Sequence, residues 1–239
     1  MKAFYEKHPL GFALGWIGIY VVGFSVADGL SAAVGIEKSV TAPAGLAMTA
    51  WLLYWLKREK LLKVYGLGRA FPPLKAYLYF LPLAVMVSAN LWGGMCLRYT
   101  VAETVLYVAS MICVGILEEV IFRGFLFKAM CRDSVKWAVA VSSVTFGLGH
   151  EINLLSGAQV LPTLLQIGYA TAAGFVFTVI FHRSGSLVPC IAAHCLMNSL
   201  SAFQAETSRT RELITAAVLC VLPAAYGLYL WKTAPAETE

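Results

Sequence analysis

Residues Tyr99 to Phe127 read YTVAETVLYVASMICVGILEEVIFRGFLF. The 29-residue run would extend about 43 Å as a helix at about 1.5 Å per residue, more than the roughly 30 Å of a bilayer's hydrocarbon core. It is apolar enough to cross a membrane, yet Glu118, Glu119 and Arg123 sit well inside it. Unpaired at the centre of a span, three such charges would cost on the order of 8–10 kcal/mol, so they require partners. On a helix Glu119 and Arg123 lie four apart on one face, the spacing of an ion pair. Glu118 is turned about 100° away and is free to meet a group from another helix.

The rest of the chain supports a membrane setting. Of its 239 residues 59% are hydrophobic and 13% charged, about half the charged fraction of a soluble domain. Mean hydropathy is +0.74. This composition excludes disorder, collagen-like repeats and nucleic-acid binding, even with a net charge of +5. Strand-like alternation is absent, which argues against an outer-membrane barrel. The six cysteines form no CxxC pair, and five of them lie in apolar runs as packing residues. Eight apolar segments, at about 10–34, 40–56, 76–97, 101–122, 137–155, 160–181, 187–205 and 212–231, predict an all-α polytopic bundle of about eight transmembrane helices around an intramembrane polar cavity. The whole chain, 1–239, reads as one membrane-embedded domain, with its motif-bearing core at about 101–205. The first apolar run is too long for a signal peptide and reads as a retained span.

Lys and Arg sort by side. With the N-terminus inside, thirteen fall on the inner face and four (Lys38, Arg98, Arg209 and Arg211) on the outer, Arg123 lying within a span. This bias places both termini in the cytoplasm with an even number of spans. Loop 57–75 carries six of the inner cations and ends in Phe71, Pro72 and Pro73; it reads as a topology determinant against anionic membrane lipids.

Four histidines are available as partners for the buried carboxylates. His8 and His182 lie at span ends, whereas His150 and His194 lie inside apolar runs. Phe146 precedes His150 by four and can pack on its imidazole. Gly147 and Gly149 weaken the helix there, a cost better suited to a close approach or a cavity than to plain packing. His194 and Asn198 again share a helical face. Measured from the inner boundary Glu118 and His194 match in depth, but His150 reaches their level only if its helix breaks, tilts strongly or starts further in.

Three motifs now stand in order. Glu118-Glu119-Val-Ile-Phe-Arg123 resembles EExxxR, Phe146-Gly-Leu-Gly-His150 resembles FxxxH, and His194-Cys-Leu-Met-Asn198 resembles HxxxN, the signatures of the CAAX protease and bacteriocin-processing family of intramembrane proteases, which includes type II CAAX prenyl endopeptidases. The similarity runs from about residue 110 to 200. It implies an eight-helix core and hydrolysis of a peptide bond in a hydrophobic or lipidated peptide or protein, with Glu118 and His150 activating water and His194 and Asn198 stabilising the oxyanion. Glu119, Arg123 and Phe146 would support the site, and the short termini point to a prokaryotic plasma-membrane member. Members have been described as metalloproteases and as glutamate-dependent enzymes. No HExxH is present here, and the metal-free reading is favoured, with zinc held by Glu118, His150 and His194 as the alternative.

Two other readings compete. One is a non-catalytic immunity or scaffold protein on the same fold, its polar cluster serving helix packing alone. The other is a small transporter with Glu118, His150 and His194 as a proton relay, although inverted repeats are not visible in the sequence. The catalytic reading expects Glu118, His150, His194 and Asn198 around one inward-opening cavity.

Overall fold

Backbone N–H and C=O groups have no water to bond in a bilayer, so an apolar chain satisfies them within helices. The computed structural model describes residues 1–68, 81–155 and 157–233, and all regular structure among them is helical. Helix α1 (Lys2–Lys7) and α2 (Pro9–Val34) are followed by α3 (Thr41–Arg58) and α4 (Leu81–Ser88). Helix α5 (Val101–Glu118) passes into a π-helical stretch, Glu119–Phe127, and then α6 (Lys128–Cys131). Next come α7 (Val135–Leu148), α8 (Ile152–Leu155), α9 (Val160–Ser184), α10 (Val188–Leu200) and α11 (Arg209–Thr233). The residues 69–75 of the expected basic loop, including Phe71, Pro72 and Pro73, and the start of the third expected span at 76–80 lie outside the described residues.

Local chemistry sets the helix ends. Thr100 and Glu103 form a reciprocal capping box that starts α5. Glu103 also accepts the Glu37 backbone N–H at 3.2 Å, tying the loop after α2 to the same point. Helices α2 and α9 stop at Gly35 and Gly185, both in the left-handed conformation.

Among the described residues four helical stretches are long and apolar enough to cross a membrane: Pro9–Val34, Val101–Cys131, Val160–Ser184 and Arg209–Thr233. Pro82–Leu91 and Val188–Phe203 are apolar but shorter. Leu14, Ile19, Val22, Val26, Val105, Val221 and Leu228 point outward and exposed, as lipid-facing side chains do. The chain is an integral membrane protein.

The continuous stretch Val101–Cys131 is the centre of the bundle. Helix α2 packs on its π-helical part, and α3 and α10 pack on α5. Helix α7 lies against the π-helical part on one side and α9 on the other. One end of the bundle gathers the N-terminus, the loop after α3, the α9–α10 turn and the end of α11. There Tyr5 and Tyr65 share a hydroxyl hydrogen bond of 2.6 Å, Ser186 Oγ donates to the Gly66 carbonyl, and Arg183 donates to the Trp231 carbonyl. The opposite end gathers the loops after α2, α4 and α10. Cys96 N–H donates to the Phe203 carbonyl at 2.9 Å, and Ala205 N–H to that of Gly94.

Gly147 is where α7 meets α9. A side-chain carbon there would lie 2.8 Å from the Ile167 carbonyl oxygen and overlap Thr171, whereas one at Gly149 would meet nothing within 4 Å. Gly147→Ala is expected to cost about 1–3 kcal/mol through overpacking and Gly149→Ala far less. Thermal unfolding in detergent should therefore show a clear drop in Tm for the first variant only; equal Tm values would contradict this contact.

Candidate active site

The π-helical stretch decides which carboxylate is sealed and which is presented. All nine residues from Glu119 to Phe127 are buried, and such a widened turn often marks a functional site. The Glu119 and Arg123 side chains are 0% exposed and paired at 3.0 Å, the ion pair expected from their spacing. Glu118, one residue earlier, keeps 12% of its side chain exposed and lines a cavity of about 610 Å³.

Glu119 Oε1 accepts from Arg123 and also from His194 Nδ1 at 2.8 Å. A carboxylate only accepts, so this contact places a proton on Nδ1. It leaves Nε2 facing Glu118, 3.4 Å from Oε2. The other oxygen, Oε1, accepts the Tyr20 hydroxyl at 2.6 Å. Glu118 is therefore held between α2 and α10.

Arg123 rests its guanidinium over the Phe146 ring, 4.0 Å from the centroid, a cation–π contact strengthened by the absence of water. The Phe146 ring also meets His194 edge to face at 5.7 Å and His150 at 5.5 Å. Arg123 Nε and NH2 and Glu119 Oε2 have no hydrogen-bond partner among the described residues. This leaves the buried pair dependent on its one ionic contact, the imidazole and the ring.

Glu118, Glu119, Arg123, Phe146 and His194 thus form one contact network, which His150 joins through Phe146, its Nδ1 lying 3.2 Å from the Phe146 carbonyl oxygen. Asn198 lines the same cavity as Glu118, His150 and His194. The break that His150 needed is present: α7 ends at Leu148, and Gly149–Glu151 form a 3-10 turn before α8. The imidazole beside Glu118 is that of His194; no contact joins Glu118 to His150 among the described residues.

Tyr20 was not signalled by the motifs. It lies about a hundred residues from Glu118 in an otherwise apolar helix, and its one legible sign is a hydroxyl deep in a span that needs an acceptor.

The zinc alternative finds an incomplete ligand set. Glu118 and His194 are adjacent, but among the described residues no three His, Cys, Asp or Glu side chains gather closely enough to share a metal ion.

From Glu118 and His194 the cavity walls continue through Tyr107 and Ser201 to Asp28, Lys38, Gly93, Gln204 and Thr207, at the end opposite the chain termini. Trp55, Tyr65, Phe125, Phe127, Phe181 and Leu187, each at most 3% exposed, lie towards the end that holds the N-terminus, where Tyr65, Phe125, Phe127 and Phe181 also line a second cavity of about 340 Å³.

Removing Arg123 would strand a buried carboxylate, at a typical cost of about 3–5 kcal/mol. Arg123→Ala is expected to lose most folded protein in size-exclusion chromatography, and Glu119→Gln/Arg123→Met to recover part of it. A fully folded Arg123→Ala would show that the pair does not hold the helices together.

Comparison with known proteins bears on the segment that carries this network. Residues 100–200 match the family model described as type II CAAX prenyl endopeptidase Rce1-like. "UPF0177 protein YaiH" of Lactococcus lactis subsp. lactis (strain IL1403) is 33% identical over 103 residues, covering 43% of this chain and 39% of that protein. "Putative membrane peptidase YdiL" of Bacillus subtilis (strain 168) is 33% identical over 99 residues, covering 41% of this chain and 36% of that protein. The aligned stretch spans less than two fifths of the length of either relative. No solved structure gives a significant match. Residues 100–200, which contain all three motifs and every member of the polar network except Tyr20, are those of a protein resembling the Rce1-like type II CAAX prenyl endopeptidases.

Proposed function

We propose that the protein is an intramembrane endopeptidase that hydrolyses a peptide bond in a hydrophobic or lipidated peptide or protein, by a glutamate-dependent and metal-free mechanism. The observation that carries this reading is the two-sided hold on Glu118, by Tyr20 on one oxygen and His194 beside the other, at the deep end of a cavity.

In the proposed reaction Glu118 accepts a proton from a water molecule, which His150 helps to position from across the cavity. The resulting hydroxide adds to the carbonyl carbon of the substrate. Negative charge moves to the carbonyl oxygen, where Nε2–H of a protonated His194 and the Asn198 carboxamide donate to it. Glu118 then returns its proton to the amide nitrogen as the C–N bond breaks, acting as general base and then general acid. Glu119 positions His194 through Nδ1, and Arg123 balances the charge of Glu119. Tyr20 positions Glu118.

The family resemblance and the apolar helices support an integral membrane peptidase. The proposal extends this to eight helical segments crossing alternately, with both termini in the cytoplasm of a prokaryotic cell and the outer faces in contact with membrane lipids.

The test is cleavage of hydrophobic and prenylated fluorogenic peptides by purified protein in nanodiscs. Glu118→Gln is expected to reduce kcat by about 10²-fold or more, the scale of general-base catalysis. Tyr20→Phe is expected to reduce it by about tenfold, as loss of one hydrogen bond to a charged group, and a chelator is expected to leave the rate unchanged. Equal turnover by Glu118→Gln, or no cleavage of any peptide, would overturn the peptidase reading in favour of the scaffold alternative. Loss of activity on chelation, restored by zinc, would overturn the metal-free mechanism.

A further inference from the structure

A pair of side-chain amides lies in the cavity wall close to His150. Asn153 Nδ2 donates to Gln166 Oε1 at 2.9 Å, and both residues line the same cavity as Glu118 and His194. The backbone fixes where they stand. The 3-10 turn Gly149–Glu151 runs directly into α8, which carries Asn153, and Ala158 N–H donates to the Asn153 carbonyl at 3.0 Å. Gln166 comes from the second turn of α9. Asn153 follows His150 by three residues, an advance of about 4.5–6 Å along the axis of an α or 3-10 turn.

Counting donors and acceptors shows what the pair can bind. A carboxamide has two N–H donors and a carbonyl oxygen with two lone pairs. The bond between the two side chains leaves Asn153 Oδ1 and the Gln166 amino group without a hydrogen-bond partner among the described residues. Exchanging oxygen and nitrogen on both amides would reverse that bond and still leave one carbonyl and one amino group, so the inventory does not depend on how each amide is turned. Both side chains are half-buried, where polar groups that lose water without gaining a partner carry a cost. A ligand with one donor and one acceptor relieves it.

One residue of an extended polypeptide has this pattern. Its N–H and C=O lie on the same side of the chain and bond together to a partner, as in a hydrogen-bonded pair of antiparallel strands. Neither amide is charged, so the pair offers nothing to an ionised group, and Ile152 and Leu165 beside it are apolar. We infer that Asn153 and Gln166 form a subsite for the substrate main chain, Asn153 Oδ1 accepting the N–H of one residue and Gln166 Nε2 donating to its C=O. The spacing from His150 puts that residue within about two positions of the scissile bond, at roughly 3.3 Å per extended residue. The inference rests on the peptidase reading. It makes the backbone, and not a particular side chain, the feature that sets the register of the bound peptide.

A purely structural tie across the α8–α9 loop is the competing role, and Gln166→Glu separates the two. It keeps an oxygen for the Asn153 N–H and removes the donor offered to the substrate. Binding is measured in nanodiscs on Glu118→Gln protein, with a hydrophobic fluorescent peptide and with analogues in which each peptide N–H in turn is replaced by an ester oxygen. One ester position is expected to raise Kd about 2–10-fold, the scale of one neutral hydrogen bond, and to have no further effect once Asn153→Ala is present. Gln166→Glu is expected to raise Kd for the parent peptide by a similar factor with Tm unchanged, and in otherwise wild-type protein to raise KM with little change in kcat. Ester analogues that all bind like the parent, ester losses of equal size with and without Asn153→Ala, or an unchanged Kd for Gln166→Glu would overturn the subsite even if the peptide is cleaved. Ester-sensitive, Asn153-dependent binding without any cleavage by the wild type would overturn the peptidase reading and support the subsite.

Discussion

A buried ion pair organises this molecule. Glu119 and Arg123 are completely enclosed at 3.0 Å, in surroundings where either charge alone would be costly. Their mutual attraction offsets part of that cost, and the remainder is met by groups brought from other helices: the Phe146 ring from α7 beneath the guanidinium and the His194 imidazole from α10 on the shared carboxylate oxygen. The pair thus fixes the relative positions of three helices. It also fixes the orientation of an imidazole, because a proton committed to Glu119 turns Nε2 towards the cavity and Glu118.

Adjacent carboxylates with opposite surroundings follow from the backbone. Helical geometry turns Glu118 away from Glu119, so one carboxylate faces the sealed, π-helical core and the other faces the cavity. The first is satisfied inside the protein and serves structure. The second is held by a hydroxyl and an imidazole but keeps access to whatever enters, which is the environment a general base requires.

Much of this was legible in the sequence because it depends on spacing along one helix. The four-residue interval from Glu119 to Arg123, the Phe146 to His150 stacking and the helix break at Gly149 follow from local periodicity and glycine placement. Contacts between distant segments were not legible. Tyr20 reads as an ordinary aromatic residue of an apolar helix until tertiary packing brings it to Glu118. Of the two histidines that lie in apolar runs, only the fold reveals that His194 is the one beside that carboxylate. The eight apolar segments all contain helix among the described residues, and four of the described stretches have the length and hydropathy of a full span.

Resemblance to the Rce1-like family covers residues 100–200, and Tyr20 lies outside it. The first long helix therefore brings to the site a contact that the motifs do not describe. The most direct measurement of the central claim, that Glu118 acts on a bound substrate, compares the Kd and the single-turnover rate of one uncleaved and one cleavable hydrophobic peptide on wild type and Glu118→Gln. Unchanged affinity with loss of the chemical step is the predicted result. Retention of the chemical step, or loss of affinity in proportion to rate, would contradict it.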